Sequence, residues 1–124
     1  MLPRLLIPAL VLAAAGCSSN EPMPMATTAE KAKPAIDGVF AAWKAGKTAD
    51  DLKAQSPPVY FLDADFEKGR KITDYKIEGD GRPFGTGYQF LVSFTFDTGG
   101  KPKKLAYRVV TSPTTTINRE DQQP

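Results

Sequence analysis

The apolar residues that follow position 28 recur at first with the period of an α-helix. Four of them fall at i, i+3, i+4 and i+7 and therefore share one face of a helix: Ile36, Val39, Phe40 and Trp43. Thr27 and Glu30 have the spacing of a capping box, but proline suits the first turn of a helix far better than its interior. Pro34 therefore sets the start of the firm helix, which is predicted over residues 34–45 and ends at Gly46.

A second, short helix is predicted directly afterwards. Thr48 and Asp51 have the spacing of a capping box at its start, and the helix would turn Leu52 inward. The sequence Ser-Pro-Pro at residues 56–58 ends it, because proline cannot continue the hydrogen-bond ladder.

After residue 58 the period of the apolar positions changes to two, which indicates strands. The clearest strand covers residues 88–97, where one face carries only apolar side chains: Tyr88, Phe90, Val92, Phe94 and Phe96. Gly99 and Gly100 supply the positive-φ positions of a hairpin, after which the chain returns with three residues inward: Leu105, Tyr107 and Val109. Shorter strands are predicted at residues 59–62, 72–78 and 114–119, with Ile117 inward in the last.

Helices followed by a meander of strands with one apolar face predict an α+β domain. We expect the N-terminal helix, with the short second helix, to pack on a curved antiparallel sheet of about four strands. This order resembles the cystatin-like and NTF2-like folds. The local sequences at residues 43–47, 56–58, 63–69 and 111–113 also resemble a family of small bacterial exported domains, and that resemblance implies no activity.

The first 17 residues have the parts of an export signal: a basic start with Arg4, an apolar core and a small-residue exit. The core, residues 5–15, is shorter than the roughly 20 apolar residues that a membrane-spanning helix needs. Residues 12–17, Leu-Ala-Ala-Ala-Gly-Cys, resemble the lipobox of bacterial lipoproteins. The resemblance implies a diacylglycerol thioether on Cys17, cleavage before it and acylation of the new amine. A plain cleaved signal and an uncleaved anchor are the alternatives.

The organisation expected from these features is a signal peptide over residues 1–16 and a lipidated, flexible tether over residues 17–28. One α+β domain over residues 29–119 and a disordered tail over residues 120–124 would follow. Ser18 is not the aspartate that signals inner-membrane retention in many Gram-negative lipoproteins. By that resemblance we expect a lipid-anchored protein of the bacterial cell envelope, at the outer membrane and facing the periplasm.

Composition narrows the possible chemistry. The chain has 16 basic and 14 acidic residues, one cysteine and no histidine. A charge this close to neutral gives no preference for nucleic acid. Without histidine or a second cysteine, disulfides and serine–histidine triads are excluded, and no cofactor or transition-metal site is expected. Lipidation of Cys17, the sole cysteine, leaves no cysteine nucleophile, so we predict no catalytic residue.

Two loops carry residues worth weighing as sites. Asp63, Asp65 and Glu67 alternate as at the start of a calcium loop, but Lys68 stands where that loop needs glycine. We therefore expect a solvated turn with Phe66 packed inward, rather than a calcium site or a glycosidase pair. The glycine-rich residues 79–87 precede a strand and not a helix, so they predict a long connection and not a phosphate loop.

Surface contacts and the interior supply the remaining candidates. Arg82 and Phe84 could contact a partner, and three lysines could touch anionic lipid or cell wall but more simply keep a strand soluble: Lys101, Lys103 and Lys104. Six aromatic residues should face the interior, as a filled core rather than a ligand pocket: Trp43, Tyr75, Tyr88, Phe90, Phe94 and Tyr107. We thus expect a non-catalytic domain that binds an envelope protein or a small ligand. The alternative is a small enzyme using carboxylates and tyrosines in a helix–sheet cavity.

Overall fold

The computed structural model describes residues 26–122. The predicted signal peptide, Cys17 and most of the predicted tether lie outside these residues. Three α-helices are present, and a single 3-10 turn follows the last strand: α1 (Ala29–Lys44), α2 (Ala49–Lys53), α3 (Ala64–Glu67) and the turn Glu120–Gln122. The strands are β1 (Val59–Leu62), β2 (Ile72–Phe84), β3 (Gly87–Phe96), β4 (Lys103–Val110) and β5 (Thr115–Arg119).

The strands form a single five-stranded sheet in the order β1-β5-β4-β3-β2. The α+β class is confirmed, but the sheet has one strand more than expected and is mixed rather than antiparallel. Strand β1 pairs in parallel with β5, with Val59 opposite Thr115, whereas the other neighbours are antiparallel. A four-residue apolar run contains no information about a partner more than 50 residues away, so its alternation could not reveal this pairing.

Helix α1 begins at Ala29, five residues before the predicted start, and contains Pro34 in its interior. Thr28 is the N-cap residue, because its side chain accepts a hydrogen bond from the backbone N–H of Lys31. The predicted cap, Thr27, is instead buried. Packing of the apolar face of α1 thus outweighs the local cost of proline, about 3 kcal/mol in a helix interior. The capping box predicted for α2, between Thr48 and Asp51, is confirmed.

The hydrophobic core lies between α1 and one face of the sheet. The predicted stripe of α1 is buried, and so are the alternate residues of the central strands and single residues of the flanking segments: Ile36, Val39, Phe40, Trp43, Leu52, Phe61, Phe66, Ile72, Phe90, Val92, Phe94, Phe96, Tyr107, Val109 and Ile117. The Phe40 ring sits 5.1 Å from Tyr107 and 5.8 Å from Phe94, centroid to centroid. Aromatic rings therefore fill the space between helix and sheet, while Tyr75 and Tyr88 are only partly buried at its margin.

Strand β2 continues through most of the glycine-rich stretch that predicted a long connection. It ends at Phe84, and only Gly85 and Thr86 connect it to β3. The register shifts between Glu78 and Arg82, where the two intervening glycines have positive φ. A β-bulge lets a strand absorb such residues without ending, so glycine here bends the strand instead of interrupting it.

The folded part also extends beyond Arg119. Glu120, which the sequence placed in a disordered tail, accepts hydrogen bonds from Gln89 and Arg108 on the outer face of the sheet. Within residues 26–122, none of the helices combines the length and hydropathy required to cross a bilayer.

Candidate functional site

Asp63 is the most buried acidic residue of the described chain, with none of its surface exposed. It follows β1 directly and caps α3, where its Oδ1 accepts hydrogen bonds from the backbone N–H groups of Asp65 at 2.8 Å and Phe66 at 3.2 Å. The prediction of a solvated turn is therefore wrong, although Phe66 does pack inward as expected. The cause is tertiary: parallel strands end side by side, so the end of β1 lies next to Arg119 at the end of β5.

Tyr107 approaches Asp63 from the middle of β4. Its hydroxyl donates a hydrogen bond of 2.6 Å to the Oδ2 atom of Asp63, and the tyrosine is itself fully buried. Burial raises the pKa of the Tyr107 hydroxyl far above its ordinary value of 10.0, and the adjacent charge of Asp63 raises it further. This hydroxyl is therefore a permanent donor and not an acid or base that exchanges protons near neutral pH.

Arg119 supplies the positive charge of the cluster. Its Nη1 atom lies 3.2 Å from Asp63 Oδ1 and 2.6 Å from Asp65 Oδ2, and its Nε atom lies 2.6 Å from Asp121 Oδ1. Burial alone would lower the pKa of Arg119, but hydrogen bonds to Asp121 and Asp65 outweigh it and raise the pKa above its usual range. The guanidinium is thus permanently charged and holds together three carboxylates, two from the start of α3 and one from the turn after β5.

Asp65 completes the cluster at its solvent side. Burial raises the pKa of its carboxyl, but hydrogen bonds from Arg119 and Arg70 prevail and lower the pKa below its ordinary value of 3.8. Arg70 Nη1 lies 3.1 Å from Asp65 Oδ1, and the Arg70 guanidinium carbon lies 3.6 Å from the ring centroid of Phe96. The cluster therefore extends as a chain of paired charges from the core to the surface.

Asp63, Tyr107 and Arg119 join the start of α3 to β4 and β5. All four carboxylate oxygens of Asp63 and Asp65 accept a hydrogen bond from an N–H or O–H group. Over residues 26–122 there is no group of three or more acidic, histidine or cysteine side chains arranged to hold a metal ion. The carboxylates with calcium-loop spacing, Asp63 and Asp65, instead accept hydrogen bonds from backbone N–H groups of α3 and from Arg119. The sequence analysis did not predict the capping role of Asp63, although aspartate between a strand and an apolar helical turn is a common N-cap signal.

The clearest concavity lies on the surface between α1 and the edge strand β2. It is an open groove of about 810 Å³. The Tyr75 hydroxyl donates a 2.9 Å hydrogen bond to Asp37 Oδ1 within it, and an ion pair of 3.0 Å joins Lys33 to Asp80 at its rim. Burial raises the pKa of Tyr75, and the hydrogen bond to Asp37 adds to this effect. The groove is outside the helix–sheet interior, where the alternative enzyme hypothesis placed a cavity.

The other sequence candidates are spread over the two ends of the sheet. Lys104 pairs with Glu78 at 3.1 Å, and Lys101 and Lys103 are exposed near the connection between β3 and β4. A hydrogen bond from Ser93 and the pairing with Lys104 lower the pKa of Glu78. These lysines therefore belong to a solvated end of the sheet, as the simpler interpretation predicted.

Phe84 lies at the opposite end, where β2 turns into β3, and it is 41% exposed. The guanidinium carbons of two arginines flank its ring, Arg108 at 4.9 Å and Arg82 at 5.8 Å from the centroid. Arg82 Nε donates to the neutral amide oxygen of Gln89 at 2.9 Å. This end of the sheet therefore presents an exposed aromatic ring between two cations.

Comparisons with known proteins do not assign this chain to a family. No family model matches the sequence, and neither a curated protein nor a solved structure is significantly similar to it.

Proposed function

We propose that this chain is a bacterial lipoprotein, anchored by lipid on Cys17, whose α+β domain is a non-catalytic binding or interaction module of the cell envelope. The observation that carries the proposal is the position of the sole cysteine at the end of an export-signal sequence. Two or three acyl chains make a stable anchor, whereas one chain binds a membrane only marginally. Ser18 favours the outer membrane, with the domain facing the periplasm.

The state of the buried polar cluster supports a non-catalytic role. Asp63 and Tyr107 are fully buried, and Arg119 neutralises the carboxylate, so a substrate has no access to a free acid or base there. The alternative, a small enzyme that uses carboxylates and tyrosines, has less support. Its most accessible pair is Tyr75 with Asp37 in the surface groove, and the raised pKa of Tyr75 makes that hydroxyl a poorer proton donor at neutral pH.

The proposal includes the finer architecture suggested by the sequence. A helix packed across one face of a five-stranded sheet supports a cystatin-like or NTF2-like domain. In such an arrangement the exposed face, the loops and the strand edges are the surfaces available to a partner, which is an envelope protein or a small ligand.

The anchor is tested by the substitution Cys17→Ser in the full chain, produced in a bacterium supplied with labelled palmitate. We expect the original protein to incorporate the label and to fractionate with membranes. The variant should remain unlabelled and accumulate as an uncleaved or soluble species. Ser19→Ala is the matched control and should behave as the original. Lipid-modified, membrane-bound Cys17→Ser protein would show that the lipobox interpretation is wrong.

A further inference from the structure

The described chain begins at the same end of the sheet as the turn between β2 and β3. The backbone N–H of Thr27 donates a 2.8 Å hydrogen bond to the carbonyl oxygen of Thr86 in that turn. The Thr27 hydroxyl accepts a 3.0 Å hydrogen bond from the backbone N–H of Thr111, just after β4. Thr27 is buried by these contacts. The point at which the tether joins the domain is therefore fixed beside residues 82–86, which we call the hairpin tip.

The length of the tether limits how the domain can stand on a membrane. Nine residues, 18–26, separate Cys17 from Thr27, and two of them are proline. The ten Cα-to-Cα steps from Cys17 to Thr27 reach roughly 31 Å at about 3.1 Å each in an extended proline-rich chain, and about 17 Å as a flexible coil. The ten residues of β3 run from the hairpin tip to the far end of the sheet, about 31 Å at 3.4 Å per step. A domain standing on its far end would need the tether fully extended along the whole sheet, whereas a domain standing on the hairpin tip would need no such extension.

The hairpin tip has the chemistry of a membrane-surface contact. Aromatic rings and arginines are favoured at the interface between headgroups and acyl chains, where the ring is partly buried and the cation meets phosphate. Phe84 is exposed between Arg82 and Arg108. Arg108 is paired with the carboxylate of Glu120, whereas Arg82 donates a hydrogen bond to the neutral amide of Gln89. Lys101, Lys103 and Lys104 lie at the far end of the sheet, away from the point where the tether joins the domain.

From these observations we propose that the hairpin tip rests on the anionic phospholipid surface to which Cys17 is anchored, with Phe84 at the headgroup level and Arg82 facing phosphate. The inference rests on the lipid anchor proposed above. It directs the far end of the sheet, with the connection between β3 and β4, towards the periplasm and its partners. A single arginine near an anionic surface changes local attraction roughly fivefold, so the tip orients the domain while the lipid retains it.

The test uses the lipidated full chain in vesicles of phosphatidylethanolamine and phosphatidylglycerol that carry a lipid-borne quencher. Because the Cys17 sulfur is consumed by lipid, Thr86→Cys introduces the sole thiol for a fluorescent label at the tip. Lys101→Cys is the matched control at the far end. We expect the label at position 86 to be quenched at least about threefold more than the label at position 101, an effect of the size that one arginine contributes. Adding Phe84→Ser and Arg82→Gln to the Thr86→Cys protein should reduce this difference, because the surface contact is lost while the tether still joins the domain at the tip.

Equal quenching at both positions, or stronger quenching at position 101, would overturn the inference while leaving the anchor in place. The inference would also be overturned if position 86 were protected from solvent in intact envelopes but not in vesicles, because the tip would then contact a protein. A free thiol on Cys17, found by mass spectrometry, would instead overturn the proposed anchor and the inference together. Circular dichroism of each variant checks that the fold is retained, and Phe84→Ser alone provides a second, milder variant.

Discussion

Removal of one oxygen atom, by Tyr107→Phe, tests whether the buried cluster stabilises the fold. The ring and its packing remain, but Asp63 loses the 2.6 Å hydrogen bond to its Oδ2 atom. A hydrogen bond to a charged group contributes about 1.5–3 kcal/mol, and both residues are fully buried, so water cannot replace the lost donor without opening the core. We expect the free energy of unfolding to fall by about 2–3 kcal/mol, a large part of the 5–15 kcal/mol typical of a domain.

The assay is chemical denaturation followed by circular dichroism, with the free energy extrapolated at constant slope. Tyr75→Phe is the matched control, because its hydroxyl also donates to a carboxylate, Asp37 at 2.9 Å, but at the surface. That substitution should cost no more than about 1 kcal/mol. Equal losses in the two variants, or no loss for Tyr107→Phe, would refute the assignment of a stabilising role to the buried hydrogen bond.

The remaining predictions concern the core, a glycine, an acid and metal independence. Trp43→Ala should cost roughly 3–5 kcal/mol in thermal or chemical unfolding, because the ring is 2% exposed and its Nε1 donates to a backbone carbonyl at 2.7 Å; an unchanged melting temperature would contradict its burial. Gly81→Ala should lower the free energy of unfolding by about 1–3 kcal/mol more than Gly85→Ala. Both glycines have positive φ, but only at Gly81 would a Cβ fall 2.6 Å from a buried phenylalanine ring. Equal melting temperatures of the two variants would argue against the bulge. Because the pKa of Asp65 is lowered in the folded state, its contribution to stability is complete above its ordinary pKa of 3.8 and is lost as the pH falls through the folded-state value. The variant Asp65→Asn should therefore lose less stability than the original protein below about pH 4. An unchanged dependence of stability on pH in this acid range would contradict the prediction. Melting curves should not respond to EDTA or calcium, whereas a rise of several degrees with calcium would overturn this prediction and make the acidic turn a calcium site.

Local sequence patterns determined the elements that depend only on residues close together along the chain. The apolar stripe of α1, the capping box at Thr48 and the alternation of β3 each depend on residues within one or two turns or on one strand, and the structure contains all three. The inward positions Tyr107 and Ile117 follow from the same period of two. The export signal and lipobox also depend on contiguous residues, and they remain predictions because residues 1–25 lie outside the described part.

Tertiary contacts decided the features that depend on distant partners. The start of α1 depends on burial against the sheet, which compensates for Pro34 within the helix. The parallel pairing of β1 with β5 brings Asp63 beside Arg119, residues 56 positions apart, and converts an apparently solvated acidic turn into the centre of a buried cluster. Spacing along the chain defines which residues share a face, but only packing defines which faces meet, because the free energy of burial belongs to pairs of elements and not to any one of them.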